Sequence, residues 1–245
     1  MGSAHLWHLR GPVSHQILDS AACGVYLRRM STVDQRIPLS RDRIAKAALA
    51  LIDTDGLGEL TMRKLGAELD VEAMSLYNHV SNKRDLLAAI GDQLSLEILS
   101  RAVSSPDLSW QERAEVLGLA WWDVAMAHPA AFTLLADEVS DSEIAARNLC
   151  AAFDIFSDIG LDDVATSTAF HAASSYVLGG IRQELTTYVQ IRKGRGISAA
   201  TLPTDLQSYT VLIHQCSTRD AKAMFLDGLT LLIRGIEAST EHASL

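Results

Sequence analysis

The sequence predicts an all-α protein, and three observations support this prediction. Apolar residues recur at helical spacing, at i, i+3, i+4 and i+7, along most of the chain. The alternating β-branched runs and Asn-Gly turns that are typical of antiparallel sheets are missing from the sequence. No proline lies between Pro129 and Pro203, which permits long helices in that stretch. With 245 residues, of which 48% are apolar, the chain can form one large packed domain or two of ordinary size.

Composition and charge exclude several classes of protein. No window approaches about 18 uncharged apolar residues, so no membrane span is predicted. The cysteines Cys23, Cys150 and Cys216 are scattered and odd in number, which predicts no disulfide framework, no zinc site and a reducing cytoplasm. The net charge of −9 is uneven, because residues 1–85 carry 11 Lys and Arg against 10 Asp and Glu, whereas residues 86–245 carry 10 against 20. The first part is therefore not repelled from phosphate, and a nucleic-acid-binding module is best sought there.

The first helix is predicted to begin just after Ser40. Residues 1–29 show no sustained helical period, so residues 1–36 are expected to form a disordered extension, unless residues 1–29 come from an upstream start that the cell does not use. From Ser40, which can act as an N-cap, apolar residues follow one helical face as far as the stop signal at Gly56. These apolar residues are Ile44, Ala47, Ala48 and Leu51.

Three further helical patterns follow in close succession. Thr61 can cap a helix over residues 61–69, and a third helix fits residues 72–80. Either Asn82 or Ser81 can cap a fourth helix. The apolar residues that these helices are predicted to bury are Leu65, Leu69, Leu76, Val80, Leu86, Leu87 and Ile90.

The remaining sequence predicts longer helices. Ser109 and Glu112 have the spacing of a capping box, which predicts a helix start at that point. Another helix is predicted to start at Asp162 and to run towards Tyr188. The last helix is predicted to start at residue 217 or 218. Its apolar stripe consists of Ala221, Phe225, Leu229, Leu232 and Ile236.

The second and third helices have the spacing of a helix-turn-helix. In that motif the second helix enters a DNA major groove about 12 Å wide, while its other face packs on the protein. Leu76 and Val80 form the predicted packed face. The residues on the opposite face are Ala73, Met74, Ser75 and Asn78. Spacing alone is a modest signal, because any helical hairpin with a short linker looks similar.

The residues of this region resemble the DNA-binding domain of the TetR (tetracycline repressor) family. The matching runs are Leu60-Thr61-Met62-Arg63-Lys64-Leu65, Leu69-Asp70-Val71-Glu72, Leu76-Tyr77-Asn78-His79-Val80 and Asn82-Lys83-Arg84-Asp85-Leu86-Leu87. The resemblance covers residues 39–92, and its most distinctive part is Leu-Tyr-x-His-Val followed by Lys-x-x-Leu. It implies a three-helix DNA-binding domain over residues 37–92 and a larger helical ligand-binding and dimerisation domain over residues 93–245.

The resemblance and general chemistry together imply roles for individual residues. Free backbone N–H groups at the helix start beside Thr61 can bind a phosphate, and the guanidinium of Arg63 can donate to O6 and N7 of a guanine. The residues expected to bind DNA phosphates are Thr61, Tyr77, His79 and Lys83. The residues expected to contact bases are Arg63, Ala73, Met74, Ser75 and Asn78. The alternatives are a core position for Tyr77 and ordinary solvated side chains for Arg63, His79 and Lys83.

Two residues depart from the family pattern. Asp70 occupies the turn position where the family usually has glycine, and aspartate tolerates the left-handed conformation better than most other residues. Gly66 interrupts the second helix where alanine is common, at an expected cost of about 0.5–1 kcal/mol.

The resemblance further implies that two chains pair. A single helix-turn-helix contacts too little DNA for tight specific binding, so a homodimer is expected, with recognition helices about 34–36 Å apart. The predicted pairing surface comprises the helices over residues 162–192 and 218–238, as in the family. Glycines on these helices either permit close approach of the partner or are weak points of long helices. They are Gly179, Gly180, Gly228 and Gly235.

Control by a small-molecule effector is the other expectation. The middle helices are rich in aromatic residues with a few polar groups, a composition that suits an apolar pocket and equally suits an ordinary core. The pocket candidates are Trp121, Trp122, His128, Phe132, Phe153, Phe156, His171 and Tyr176, with Phe170 beside them. No cofactor and no metal site are predicted, since His128 and His171 lack further ligands at a meaningful spacing.

These expectations favour a ligand-responsive transcriptional repressor of the cytoplasm that binds a palindromic DNA operator as a homodimer. A helical enzyme or carrier is disfavoured, because the sequence lacks the G-x-S-x-G, G-x-x-x-x-G-K, H-E-x-x-H and G-x-G-x-x-G motifs. A protein-interaction adaptor would not need this set of DNA-binding side chains together: Arg63, Tyr77, His79 and Lys83.

Overall fold

The structure, a computed structural model, describes residues 38–102, 107–137, 142–188, 190, 193, 195 and 202–243. In these residues it contains ten α-helices and no β-strand, which confirms the predicted all-α class. Residues from Leu39 onward form one compact unit. The extension expected over residues 1–36 lies outside the described residues.

The first four α-helices follow one another within about 60 residues of chain. They are α1 (Arg41–Asp55), α2 (Met62–Glu68), α3 (Ala73–Leu76) and α4 (Lys83–Arg101), with a 3-10 turn over Leu57–Glu59 between α1 and α2. Three of the predicted N-caps are present: Ser40, Thr61 and Asn82 each accept a hydrogen bond from the backbone N–H three residues further on. Local capping chemistry therefore fixes where α1, α2 and α4 begin.

Six more α-helices make up the rest of the compact unit. They are α5 (Trp110–Ala127), α6 (Phe132–Asp137), α7 (Glu143–Ser157), α8 (Asp163–Gln183), α9 (Thr210–Thr218) and α10 (Ala221–Ala243). A π-helical turn, Glu184–Tyr188, prolongs α8, and a 3-10 turn, Thr204–Tyr209, precedes α9.

The predicted capping box at the start of α5 is confirmed. The backbone N–H of Ser109 donates to Oε2 of Glu112 at 2.8 Å, and the N–H of Glu112 donates back to Oγ of Ser109 at 3.3 Å. Hydrogen bonds from the Ser109 hydroxyl and from its backbone N–H lower the pKa of Glu112.

Two predicted helix boundaries differ from the structure. The α-helical part of α3 spans only Ala73–Leu76, because the next N–H groups, of Tyr77 and Asn78, bond to carbonyls three residues back. The last helix does not start at residue 217 or 218, which belong to α9. It starts after Asp220, whose side chain accepts the backbone N–H of Ala223 at 2.8 Å.

Two hydrophobic clusters lie side by side and share α5. The first cluster joins the buried faces of α1 to α4, and it includes Leu94 and Ile98 of α4 together with Ala120 and Val124 of α5. The second cluster joins α5, α7, α8 and α10 around buried aromatic residues. Because α4 runs without a break through residue 92, the residues of the helix-turn-helix are packed on the larger helical part rather than linked to it by a loop.

Candidate nucleic-acid interface and ligand cavity

The turn between α2 and α3 depends on Asp70 and Gly66. Asp70 has φ = 54°, the left-handed conformation expected of this turn position. The backbone N–H of Val71 donates to the carbonyl of Gly66 at 2.9 Å, which brings the start of α3 close to α2. A Cβ atom on Gly66 would lie 2.8 Å from the Val71 carbonyl oxygen and 3.2 Å from the Ala73 nitrogen. Gly66 is therefore more than a weak point of its helix, because it permits the close approach of α3.

The helix α3 has one buried and one exposed face, as the pattern predicted. Leu76 and Val80 are fully buried in the first hydrophobic cluster. Met74 is 71% exposed and Tyr77 44% exposed, which places Tyr77 at the surface and not in the core. Of the other residues proposed to contact DNA from this segment, Ala73 and Ser75 are half-buried, and Asn78 and His79 are exposed.

A network of hydrogen bonds around Asp85 fixes the start of α4, the helix whose first residue is Lys83. Oδ1 of Asn82 accepts the backbone N–H of Asp85 at 2.9 Å, and Oδ2 of Asp85 accepts the backbone N–H of Ser81 at 2.7 Å. Asp85 also forms an ion pair with Arg41 of α1. The Ser81 backbone N–H, followed by the Arg41 and Ser81 side chains, lowers the pKa of Asp85. This network ties the loop before α4 to α1.

Arg63 and Lys83 are exposed cations that are available to a polyanion at this surface. Arg63 and Lys83 are exposed, and neither forms an ion pair with any residue that the structure describes. Lys64, by contrast, donates to Asp55 at 2.9 Å, and this hydrogen bond raises the pKa of its ammonium group. Arg63 and Lys83 can therefore be neutralised by DNA without breaking an existing pair, whereas Lys64 cannot.

The central cavity lies between α4, α5, α7, α8 and α10 and has a volume of about 340 Å³. Three of the aromatic residues singled out in the sequence line it: Trp121, Phe156 and Phe170. Arg84 and Ser95 line it from α4, so the helix that begins at the candidate phosphate-binding lysine also forms a wall of this cavity. Its size falls in the range of small-molecule sites, about 300–1,000 Å³.

The other pocket candidates lie elsewhere. Trp122 and Tyr176 line a second cavity of about 500 Å³ beside α8, α9 and α10. Phe132 packs edge-on against Trp121, with ring centroids 6.2 Å apart, and Phe153 packs on Phe170 at 4.3 Å. The remaining four candidates are not among the lining of the two cavities described: Phe132, Phe153, His128 and His171.

His128 lies where the end of α5 meets α1 and α4. It is the C-cap of α5, and its Nδ1 lies 2.7 Å from Oδ2 of Asp53 in α1. Its Nε2 lies 3.1 Å from Oε2 of Glu97 in α4. Because both ring nitrogens contact carboxylates of other helices, His128 connects α1 and α4 to the end of α5. His171 is an exposed residue of α8. Among the described residues, no group of three or more His, Cys, Asp or Glu side chains is placed to hold a metal ion.

Two sequence models of one family match the chain over most of its length. The model described as "Bacterial regulatory proteins, tetR family" matches residues 44–90, and that described as "Tetracyclin repressor-like, C-terminal domain" matches residues 104–240. The chain belongs to the TetR family. TetR-family members are ligand-responsive DNA-binding regulators of transcription, so the exposed face of α3 belongs to a DNA-binding regulator. The resemblance seen in the sequence is thereby confirmed.

The similarity to other TetR-family proteins extends along the chain. It is 28% identical over 210 residues to the Tetracycline repressor protein class E of Escherichia coli, covering 83% of this chain and 93% of that repressor. It is 33% identical over 153 residues to an HTH-type transcriptional regulator of Saccharopolyspora erythraea, covering 60% of this chain and 61% of that regulator. The solved structure of a TetR from Streptomyces coelicolor is similar with a TM-score of 0.69 and 27% identity, covering 82% of this chain and 98% of that one.

Sequence reasoning missed three residues that contribute to the candidate DNA-binding surface and to the central cavity. Asp85 could have been found, because Asn82 and Asp85 have the spacing of a reciprocal helix cap. Arg84 and Asn148, which both line the central cavity, carry no such local signal.

In the part of the chain that the structure covers, no helix is both long and apolar enough to cross a bilayer.

Proposed function

We propose that this TetR-family regulator is a cytoplasmic repressor that binds a palindromic operator as a homodimer and is released by a small-molecule effector. The observation that carries the DNA-binding part is the exposed face of α3, which is backed by fully buried Leu76 and Val80. It is flanked by the exposed cations Arg63 and Lys83, which form no ion pair with a described residue. No catalytic step is proposed. The same proposal assigns DNA binding to residues 37–92, and effector binding and dimerisation to residues 93–245.

Phosphate contacts and base contacts are assigned to different residues. Thr61, Tyr77, His79 and Lys83 would position the protein on the DNA backbone, where contacts carry no sequence information. Arg63 and the α3 residues Ala73, Met74, Ser75 and Asn78 would face base edges. Met74 supports this assignment, since an apolar side chain that is 71% exposed is well suited to contact a thymine methyl group.

Release by an effector is supported by the course of α4. This helix carries Lys83 in its first turn and lines the central cavity through Arg84, Leu87 and Ser95. An effector that binds better to a protein with altered α4 placement would lower operator affinity by the same coupling factor. A coupling of about 1–3 kcal/mol, the common range, changes affinity roughly 5–150-fold.

The test is a fluorescence-polarisation titration of the full chain against DNA from upstream of its own gene, over a range of salt concentrations. Lys83→Ala is expected to weaken binding to every DNA sequence and to lower the salt slope by about one phosphate contact, about 0.9 in log–log terms. Lys193→Ala removes the same charge from an exposed position between α8 and α9 and serves as the control, with no change expected. Binding that is independent of sequence at every salt concentration would contradict the proposal.

The base-contacting role is tested with Arg63→Ala on operators changed at single base pairs. We expect a loss of about 1–3 kcal/mol for the parent operator and relaxed specificity at one position. If Arg63→Ala and Lys83→Ala reduce affinity in the same sequence-independent way, the division between phosphate and base contacts is wrong. Sedimentation of the free protein tests the homodimer, and a monomer at micromolar concentration would contradict it.

A further inference from the structure

Asn148 is an exceptional polar residue in the interior of this protein. It lies on α7 with only 6% of its surface exposed. Three buried side-chain nitrogen or oxygen atoms in the described residues lack a hydrogen-bond partner, and two of them are Oδ1 and Nδ2 of Asn148. Buried polar atoms are nearly always hydrogen-bonded, because leaving them unpaired is costly. The carboxamide of Asn148 therefore has an unused capacity on both its donor and its acceptor side.

That capacity is available in the central cavity. Asn148 lines the cavity together with Ala145, Ala152 and Phe156, which share one face of α7 at helical spacing. The two polar atoms of Asn148 are themselves buried, and the small side chains of Ala145 and Ala152 leave room for the carboxamide to turn towards a molecule in the cavity. Water can satisfy such a group while the cavity is unliganded, but a ligand that displaces this water must replace its hydrogen bonds.

The other polar side chains among the described lining residues are Ser95, Ser174, Arg84 and the indole of Trp121, and none of them is an amide. Ser95 is buried, and its hydroxyl is neutral. Ser174 donates its hydroxyl to the carbonyl of His171 at 3.1 Å. Arg84, which carries the charge in this lining, is exposed to solvent. An ionised ligand group next to Asn148 would thus be buried against a neutral amide, which is unfavourable.

We propose that Asn148 determines the specificity of the effector site and selects an uncharged, largely apolar ring compound that presents a donor and an acceptor side by side. An amide, a lactam or a hydroxy-ketone edge has this chemistry. A carboxamide offers two N–H donors and two acceptor lone pairs, so it pairs with such an edge through two parallel hydrogen bonds. This inference rests on the proposed function, because it takes the central cavity as the effector site.

Three ring compounds of similar shape test the proposal: naphthamide, naphthoate and isopropenylnaphthalene. Isothermal titration of the full chain without DNA measures their affinities. We expect naphthamide to bind the parent protein roughly tenfold or more tightly than either of the others. Asn148→Leu is expected to abolish this preference while retaining the hydrocarbon, since leucine has the same branching at Cγ as asparagine but no polar atoms. Asn148→Ala is the second variant, and it should lose the same preference.

Ala152→Leu is the matched control, because it narrows the same cavity one helical turn away and keeps the carboxamide of Asn148. It should weaken all three compounds together. An unchanged ratio of naphthamide to hydrocarbon affinity in both Asn148 variants, or tightest binding of naphthoate by the parent, would overturn the role of Asn148. In that case binding lost in Ala152→Leu still supports the cavity as a ligand site.

Failure of the proposed function gives a different result. If the parent binds none of the three compounds, or binds them unchanged in Ala152→Leu, the central cavity is not a ligand site, and the role of Asn148 is overturned with it. The polarisation titration with DNA is independent of these compounds, so it reports on the DNA-binding part of the proposed function separately.

Discussion

The substitution Gly66→Ala tests the close approach of α2 and α3. An alanine in a helix interior ordinarily gains about 0.5–1 kcal/mol over glycine. At residue 66, however, the added Cβ would lie 2.8 Å from the Val71 carbonyl oxygen and 3.3 Å from the Ala73 Cα. Both atoms belong to the backbone, so no side-chain rotation can relieve the contact. Overpacking of this kind costs about 1–3 kcal/mol. The net effect expected is a loss of about 1–2 kcal/mol in the free energy of unfolding.

Thermal unfolding at a fixed protomer concentration measures this loss. For a protein of this size, 1 kcal/mol corresponds to about 2–4 °C, so Gly66→Ala should lower the unfolding midpoint by about 2–8 °C. The concentration must be held constant, because association of two chains raises apparent stability. Operator affinity should fall as well, since α3 must shift relative to α2.

The control is Gly58→Ala, in the 3-10 turn before α2. A Cβ atom there meets nothing within 4 Å, so this variant should be as stable as the parent or gain about 0.4–1 kcal/mol. If Gly66→Ala unfolds at the same temperature as the parent, or at a higher one, the close approach is not a constraint and the reasoning is refuted.

Three other substitutions have definite expectations. The lowered pKa of Asp85 means that its ionised carboxylate stabilises the fold at pH values above its unfolded pKa of about 3.9. This stabilisation is lost as the pH falls through the folded pKa. The difference in urea midpoint between the parent and Asp85→Asn should therefore be largest near neutral pH and decrease below about pH 4. Ser109→Ala removes the cap of α5 and should cost about 0.5–2 kcal/mol in thermal unfolding, and a cost of zero would contradict the capping role. Gly228→Ala would place a Cβ against the Tyr176 hydroxyl and should cost about 1–3 kcal/mol by urea titration, whereas Gly235→Ala, which meets nothing within 4 Å, should not.

Much of the fold was predictable because it is encoded locally. Ser40 and Ser109 cap their helices as predicted, since a cap depends on a side chain and a backbone N–H three residues away. The helix α9 was not predicted, because it is rich in β-branched residues and its N-cap, Tyr209, makes no side-chain capping bond. Missing α9 also misplaced the start of α10 by one turn.

The candidate sites were predictable to different degrees. The exposed face of α3 follows from helical periodicity once Leu76 and Val80 are assigned to the core. The roles of Gly66 and Asn148 depend instead on tertiary contacts. Gly66 matters because the backbone at the start of α3 lies close to it, and Asn148 matters because several helices enclose the central cavity beside it. From the sequence, Gly66 is a weak point in a helix and Asn148 is one more polar residue on α7. Neither the helical period nor local propensity contains the contact that gives them their importance.

The continuity of α4 has a practical consequence for building hybrid regulators. A fragment that stops at residue 92 would lose Leu94 and Ile98, which complete the core beneath α1, and would leave that core open to water. A DNA-binding segment that is fused to another regulator should therefore extend at least through Arg101, the last residue of α4. The recipient must then supply side chains as small as Ala120 and Val124 where its own next helix meets the graft. Choosing recipients by those two positions gives hybrids a better prospect of folding than choosing them by overall identity.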